Sequence, residues 1–149
     1  MISVVQRVSE ASVIIEDKIH NKISKGFLVL LGIKKRDTVA TLKTLAKKVI
    51  DLRIFPDEND KMNLNLKDID GEVLVISQFT LCSDNEKSGN RPSFIFAEEP
   101  EKASALYDKF IDELREYYKS DKVFGGVFAA YMKIKLENDG PVTIILERN

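Results

Sequence analysis

The chain has 149 residues, which is the usual size of one globular domain. Hydrophobic residues make up 44% of it, enough for a core, while 23 basic and 24 acidic residues leave a formal net charge of -1. A balance this close to zero argues against binding to nucleic acid or anionic lipid through bulk positive charge, though not against a local basic patch.

The two residue types that most often carry chemistry, cysteine and histidine, occur once each. Cys82 has no partner for an internal disulfide, which favours a reducing, cytoplasmic environment, and its place after a buried strand predicts a packed, inert thiol. His20 lies in a polar stretch typical of a surface. A zinc site needs about four suitably spaced ligands, so we expect no metal, no cofactor and no histidine-based triad. The longest apolar run, Phe27–Gly32, is far shorter than the ~20 residues that span a bilayer.

The first half of the chain predicts strands followed by a helix. Ile2–Val8 and Ala11–Ile15 are rich in β-branched residues and predict two short strands, and a third is expected near 22–24. The continuous apolar run Phe27–Leu31 is typical of a strand that is buried on both faces. Asp37 is the expected N-cap of a helix whose apolar residues recur every three or four positions as far as residue 50.

The second half predicts one more buried strand, a helix and two final strands. Glu72–Ile76 has the buried-strand pattern, and a long polar loop follows it. A helix is expected to begin at Glu99–Pro100, where proline suits the first turn. Phe128–Leu136 and Val142–Leu146 predict two strands joined by a tight turn at Asn138–Pro141. About seven strands and two helices in one domain, residues 1–149, indicate an α/β fold with helices covering one sheet.

Two segments combine polar and aromatic residues where sites often form. In Ser77–Leu81 a hydrophobic strand turns polar, so Gln78 and Thr80 either satisfy nearby backbone groups or project into a pocket at the carboxyl end of the strand. In Gly89–Phe94, Arg91 stands beside a proline and near a phenylalanine. It belongs either to a solvated loop or to a site that holds a phosphate and stacks a base.

A third segment, Asn138–Thr143, contains a Gly-Pro pair. Such a pair is usually only a turn, and about 5–6% of X-Pro bonds are cis. A cis bond between Gly140 and Pro141 would present two backbone carbonyls on the same side, as a rigid polar edge. The residues alone leave both interpretations open.

The three segments together resemble the D-aminoacyl-tRNA deacylase family, whose members are also called D-tyrosyl-tRNA(Tyr) deacylases. The likeness rests on SQFTL at Ser77–Leu81, RPSF at Arg91–Phe94 and NDGPVT at Asn138–Thr143, and it covers essentially the whole chain. It implies a three-layer β/β/α fold and a cytoplasmic homodimer that hydrolyses the ester joining a D-amino acid, or glycine, to the 3′ end of tRNA. Three shorter segments also match: Gln6–Val8, Lys61–Leu64 and Phe128–Met132.

The resemblance also implies roles for individual residues. Gln78 and Thr80 would act in catalysis. Gly140 and Pro141 would form a Gly-cisPro motif that enters the active site of the other subunit and rejects L-amino acids, and Arg7 would orient this motif. Residues implied in substrate binding are Ser77, Phe79, Arg91, Pro92, Phe94, Phe128, Ala129 and Met132. Basic groups available to tRNA phosphates are Lys34, Lys35, Arg36, Lys87 and Arg91.

Two catalytic routes are open for such a site. Thr80 would be a nucleophile only if a base activated it, and no histidine or lysine stands in SQFTL. In the other route the 2′-hydroxyl of the terminal adenosine activates water, while backbone N–H groups near Phe79 and Thr80 stabilise the oxyanion. This second route agrees with the family's mechanism, and we prefer it. The rival functions are a small-molecule esterase or amidase that depends on Thr80, a nucleic-acid-binding dimer without catalysis, and a structural dimer.

Overall fold

One long N-terminal strand organises the sheet. In this computed structural model, which describes residues 1–84, 86 and 89–149, strand β1 runs without a break over Ile2–Ile15. It pairs antiparallel with β2 (Lys18–Ile23) and β3 (Gly26–Gly32). The prediction of two separate strands was wrong, because register shifts on both sides of Val8 let β1 bend without ending. The strand expected near 22–24 is β2, which begins earlier, at residue 18.

The sheet continues from β3 through two parallel strands. β6 (Glu72–Ser77) pairs with β3 and β7 (Val123–Gly125) pairs with β6, so the order is β2-β1-β3-β6-β7. β8 (Lys133–Glu147) pairs with β1. Parallel pairing brings the carboxyl ends of β3 and β6 to the same edge of the sheet. The other elements are α1 (Val39–Ile50), β4 (Phe55–Pro56), β5 (Met62–Leu64), a 3-10 turn (Phe79–Cys82), α2 (Pro100–Tyr117) and a second 3-10 turn (Ser120–Lys122).

Two hydrophobic clusters lie on opposite faces of this sheet. Phe27 and Val29 of β3 pack in the larger cluster with buried side chains of α1 and α2. Leu28, which lies between them and points the other way, packs with Ile23 and Leu74 in the smaller cluster. The predicted burial of β3 on both faces is therefore confirmed. The mixed α/β fold is also confirmed, with two α-helices and eight strands in the described residues.

The two α-helices begin close to where the sequence predicts. α2 begins at Pro100, as expected. The N-cap of α1 is Thr38, whose side chain accepts a hydrogen bond from the Thr41 N–H at 3.2 Å, so the assignment of Asp37 as N-cap was wrong by one residue. The Asp37 carboxylate instead accepts hydrogen bonds from the Lys34 N–H and from the Met1 ammonium group. Of the helices described, none is long and apolar enough to cross a membrane.

The C-terminal strand differs most from the prediction. The sequence predicts two strands joined by a tight turn, whereas β8 is one strand of 15 residues that pairs with β1 along its length. Between the pairs Gln6–Thr143 and Val8–Asn138, β1 advances by two residues and β8 by five, so the extra residues of β8 bulge out of the sheet. The strand also starts later than predicted, because Ala129 has a φ of 61°, outside the extended range.

Candidate functional site

A cavity of about 870 Å³ opens at the carboxyl ends of β3 and β6, and we call it the β3–β6 cavity. Its wall combines the ends of these two strands with the segment before α2 and the segment before β8. It is lined by Leu31, Ile33, Lys35, Ile76, Ser77, Gln78, Phe79, Phe94, Ile95, Ala97, Glu98, Glu99, Pro100, Ala103, Phe128, Ala129, Ala130, Tyr131, Met132 and Ile134. Seven residues predicted to bind substrate or act in catalysis thus lie around one cavity: Ser77, Gln78, Phe79, Phe94, Phe128, Ala129 and Met132.

The polar end of β6 is held at this cavity by its parallel neighbour. Ser77 is in register with Leu31 of β3, and the Gln78 N–H donates to the Leu31 carbonyl at 2.8 Å. The chain then leaves the sheet as the 3-10 turn that begins at Phe79. The sequence prediction that polar residues cluster at the end of this strand agrees with this geometry.

The Thr80 hydroxyl contacts an amide and not a base. Gln78 Nε2 donates a hydrogen bond to Thr80 Oγ1 at 2.6 Å, and Thr80 is exposed. Within the residues that the structure describes, no histidine, lysine or carboxylate contacts this hydroxyl. His20 lines a different cavity, of about 330 Å³, against α2. A side-chain amide does not remove a proton from a hydroxyl, so the geometry gives Thr80 a positioning role.

Two backbone N–H groups at the same place are free to bind an anion. The first N–H groups of a helical turn have no acceptor within the turn, and here they belong to Phe79 and Thr80. In the described part of the chain, neither donates to any other group. A pair of adjacent backbone donors of this kind can stabilise the oxygen of a tetrahedral intermediate.

An aromatic pair connects the end of β6 to the following loop. The rings of Phe79 and Phe94 meet edge to face with their centroids 5.0 Å apart. Because Phe79 is 59% exposed, much of its ring is open to solvent beside the cavity. Such a ring suits stacking against a base at a single-stranded RNA end.

Other residues of the predicted set lie elsewhere. Arg91 and Pro92 are exposed and do not line the cavity. Thr80 does not line it either, but its hydroxyl accepts a hydrogen bond from Gln78, which does. Of the described basic residues suggested for phosphate binding, Lys35 is the one that lines the cavity. Lys34 pairs with Glu147 and Arg36 is exposed. Lys87 lies outside the described residues. Cys82 is buried, its Sγ contacts the Ile33 carbonyl, and burial raises the pKa of the thiol, as expected for an inert packed cysteine.

The sequence interpretation missed the wall formed by residues 95–99. This wall is tied to the end of β3, because the Glu98 N–H donates to the Ile33 carbonyl at 3.0 Å and Lys34 forms a β-bridge with Ala97. It also missed Tyr131, which is 85% exposed at the cavity. The matching segment Phe128–Met132 was the signal that pointed toward Tyr131, whereas no local pattern marks residues 95–99.

The bulge of β8 forms a second feature, apart from the cavity of the same chain. The Gly140–Pro141 peptide bond is cis, both residues are exposed, and neither lines the β3–β6 cavity. The Asn138 side chain closes the bulge, since its Oδ1 accepts from the Val142 N–H at 2.7 Å and its Nδ2 donates to the Val142 carbonyl at 3.2 Å. The bulge is therefore a rigid, exposed projection.

Arg7 anchors this bulge to the body of the protein. Its Nε donates to the Asp139 carbonyl at 2.8 Å and its Nη1 donates to the Ile54 carbonyl at 2.6 Å. The Arg7 side chain is only 11% exposed, so these hydrogen bonds are shielded from water. The contact predicted between Arg7 and the Gly-Pro segment is thus present.

Replacing Arg7 by alanine is expected to lower the free energy of unfolding by about 2 kcal/mol. The substitution leaves the Ile54 carbonyl without its charged donor in a buried place and releases the Asp139 carbonyl. Urea denaturation at one fixed protein concentration measures the change. Arg148→Ala is the control, because the Arg148 side chain makes an exposed hydrogen bond to the neighbouring Glu147 carbonyl. An Arg7→Ala variant as stable as the parent would show that the anchor does not hold the bulge.

Comparison with known proteins gives a consistent picture. The family model described as D-Tyr-tRNA(Tyr) deacylase matches residues 4–147. The chain is 54% identical over 147 residues to a D-aminoacyl-tRNA deacylase of Thermotoga petrophila, covering 99% of this chain and 97% of the relative. It is 50% identical over 147 residues to a D-aminoacyl-tRNA deacylase of Dictyoglomus turgidum, covering 99% and 92%.

Two solved structures have the same fold. One, described as c-Myc DNA Unwinding Element Binding Protein, superposes with a TM-score of 0.93 at 40% identity, over 99% of this chain and 98% of the other. The second, described as a probable eukaryotic D-amino acid tRNA deacylase, has a TM-score of 0.81 at 18% identity over 97% of each chain. At that identity the second likeness concerns the fold alone.

Proposed function

From the premise that this chain belongs to the D-Tyr-tRNA(Tyr) deacylase family and is a D-aminoacyl-tRNA deacylase, we propose how its cavity and its bulge carry out the reaction. The β3–β6 cavity binds the terminal adenosine of tRNA with its esterified amino acid. The bulge at Gly140–Pro141 supplies the selection of handedness. The enzyme acts in the cytoplasm as a homodimer.

Hydrolysis proceeds through water activated by the RNA. The 2′-hydroxyl of the terminal adenosine lies beside the ester and assists a water molecule as it attacks the carbonyl carbon. The N–H groups of Phe79 and Thr80 stabilise the oxyanion, and the hydrogen bond from Gln78 keeps Thr80 in place. The bond to the 3′-oxygen then breaks and this oxygen takes a proton, which leaves a free amino acid and an intact tRNA. The absence of a base at Thr80 in the described residues supports this route over a threonine nucleophile.

Adenine recognition follows from the aromatic pair. The open face of Phe79, braced by Phe94 at 5.0 Å, offers a stacking surface at the edge of the cavity. Stacking of this kind accepts the base without reading a long sequence, which suits the 3′ end shared by all tRNAs.

Selection between D- and L-amino acids comes from the partner subunit's bulge. In a single chain the bulge is exposed and does not line the chain's own cavity, so it is available to enter a neighbour's cavity. Its main-chain atoms would stand close to the substrate's alpha carbon, where an L side chain collides and a D side chain or the hydrogen of glycine does not. The same filter therefore accepts glycyl-tRNA.

The observation that carries this proposal is the grouping of Gln78, Phe79, Phe94 and Phe128 around one cavity in a chain of this family. Incubation with D-Tyr-tRNA, L-Tyr-tRNA and Gly-tRNA, followed by release of the amino acid, tests it. We expect rapid release from the D-tyrosyl and glycyl substrates and none above background from the L-tyrosyl substrate. Equal release of D- and L-tyrosine would contradict the proposed filter.

The same assay separates the rival functions. A small-molecule esterase that depends on Thr80 would hydrolyse simple activated esters without RNA, whereas the proposed enzyme needs the adenosine 2′-hydroxyl. A nucleic-acid-binding or structural dimer would release no amino acid from any substrate.

A further inference from the structure

Lys35 is the one basic residue among the described residues that line the β3–β6 cavity. Its side chain is exposed, and in the part of the chain described here its ammonium group makes no hydrogen bond or ion pair. Neighbouring lysines are already engaged, Lys34 with Glu147 and Lys102 with Glu98 at 2.6 Å. Lys35 therefore places at the cavity a positive charge that belongs to no ion pair among the described residues, although it acts on the Glu98 carboxylate from a distance.

The backbone of Lys35 is fixed relative to the cavity wall. Its N–H donates to the Phe96 carbonyl at 2.9 Å, one residue from the β-bridge between Lys34 and Ala97. The Glu98 N–H continues this ladder to the Ile33 carbonyl at 3.0 Å. Because the segment is held at three successive places, binding a ligand through Lys35 orders only its side chain.

The rest of this wall disfavours an anion. Glu98 and Glu99 also line the cavity. The hydrogen bond from Lys102 lowers the pKa of the Glu98 carboxyl, so Glu98 stays ionised. The Lys102 ammonium group, at 2.6 Å, neutralises this charge in an ion pair that Lys35 does not form. An anionic group of the substrate that approaches this wall is therefore directed to Lys35.

The chain path sets an upper limit on the distance between Lys35 and the end of β6. Lys35 follows Leu31 by four residues, and Leu31 is in register with Ser77 at the end of β6. Four extended residues span at most about 14 Å. Lys35 therefore lies no farther from the end of β6 than the length of about one nucleotide, whose ester lies at the 3′ end and whose phosphate lies at the 5′ end.

We propose that Lys35 binds the phosphodiester on the 5′ side of the terminal adenosine of the tRNA substrate, an inference that rests on the proposed function. The phosphate is the charged group of the RNA backbone, and an ammonium group binds it through charge-assisted hydrogen bonds. Lys35 thereby distinguishes a tRNA end from an isolated aminoacyl nucleoside, which lacks this phosphate. This contact adds to those that the cavity makes with the adenosine and the amino acid.

The test compares two substrates that differ in this phosphate. D-Tyr-tRNA carries it, and 3′-O-D-tyrosyl-adenosine lacks it. For Lys35→Gln we expect kcat/KM on D-Tyr-tRNA to fall about tenfold through KM, and to fall much less on the adenosine ester. The slope of log kcat/KM against log salt should decrease by about 0.7, the value for one contact to single-stranded nucleic acid. Lys35→Arg should restore most of the loss.

Lys43→Gln is the matched control, because it removes one positive charge from a lysine on α1 that pairs with Glu113 and does not line the cavity. Three results would overturn the proposal: parent-like kinetics of Lys35→Gln on tRNA, an equal loss on both substrates, or an equal effect of Lys43→Gln. Failure of the parent enzyme to hydrolyse either D-tyrosyl substrate would instead contradict the proposed function, so the two failures are distinguishable.

Discussion

Hydrolysis of D-Tyr-tRNA is expected to fall about 1,000-fold when the terminal adenosine is replaced by 2′-deoxyadenosine, because proton transfer by a positioned group contributes about 10²–10⁴-fold. The amino acid remains on the 3′-oxygen of this substrate, so the ester itself is unchanged. By contrast, Thr80→Ala should keep activity within about fivefold of the parent, since it removes one neutral hydrogen bond, that from Gln78. The measurement is single-turnover release of labelled D-tyrosine.

The deoxy substrate and the Thr80→Ala variant each have a control. The 2′-deoxy substrate must inhibit hydrolysis of D-Tyr-tRNA when the two are present at similar concentrations. Such inhibition shows that the modified tRNA still binds the enzyme. Thr80→Ser, which keeps a hydroxyl, separates loss of the hydroxyl from loss of the methyl group. Complete loss of turnover in Thr80→Ala but not in Thr80→Ser, with full activity on the deoxy substrate, would establish Thr80 as the nucleophile and refute the RNA-assisted route.

Substituting Gly140 is expected to reduce kcat/KM on D-Tyr-tRNA by about 100-fold, the cost of displacing a positioning group by about 1 Å. Gly140 has a φ of 141°, which L side chains rarely adopt. A Cβ at this residue would lie 2.7 Å from Val142 Cγ2 and 3.0 Å from the Val142 nitrogen, so the backbone of the bulge must move. Gly89→Ala is the control, because Gly89 also has a positive φ but no other residue that the structure describes lies within 4 Å of its Cβ position.

If the chain forms the proposed homodimer, mixed dimers show whether the bulge acts on its own chain or on its partner. Ala97→Trp fills the β3–β6 cavity of one chain but leaves its bulge intact, while Gly140→Ala does the reverse. After the two inactive variants are unfolded and refolded together, half of the dimers are mixed and each contains one complete site, so about a quarter of the parent activity should return. If each chain were self-sufficient, the mixture would stay inactive.

The parts of the fold that the sequence predicts well are those encoded by local pattern. β3 and β6 consist of continuous apolar runs, which predict burial on both faces wherever the strands pair. Pro100 suits the first turn of a helix by its own backbone geometry, and α2 begins there. Polar residues that end or directly follow a buried strand lie at the edge of the sheet, which is why Ser77 and Gln78 line the cavity.

The assignments that failed depend on neighbours that are distant in the sequence. Asn138–Pro141 has the composition of a tight turn, yet β8 continues through it because both halves of β8 find their hydrogen-bonding partners on the same strand, β1. Similarly, Asp37 is a good N-cap residue, but its carboxylate is occupied by the Met1 ammonium group, and Thr38 caps the helix instead.

The sequence by itself determined the family and seven of the residues around the cavity, because their types and spacing are carried in short contiguous segments. Only the tertiary structure showed that residues 95–99 meet the end of β3, that Arg7 joins Asp139 to Ile54, and that Lys35 lines the cavity outside any ion pair of the described residues. The physical reason is that hydrogen bonds and charge pairing between distant segments depend on which strands lie side by side, and a linear pattern does not record that arrangement.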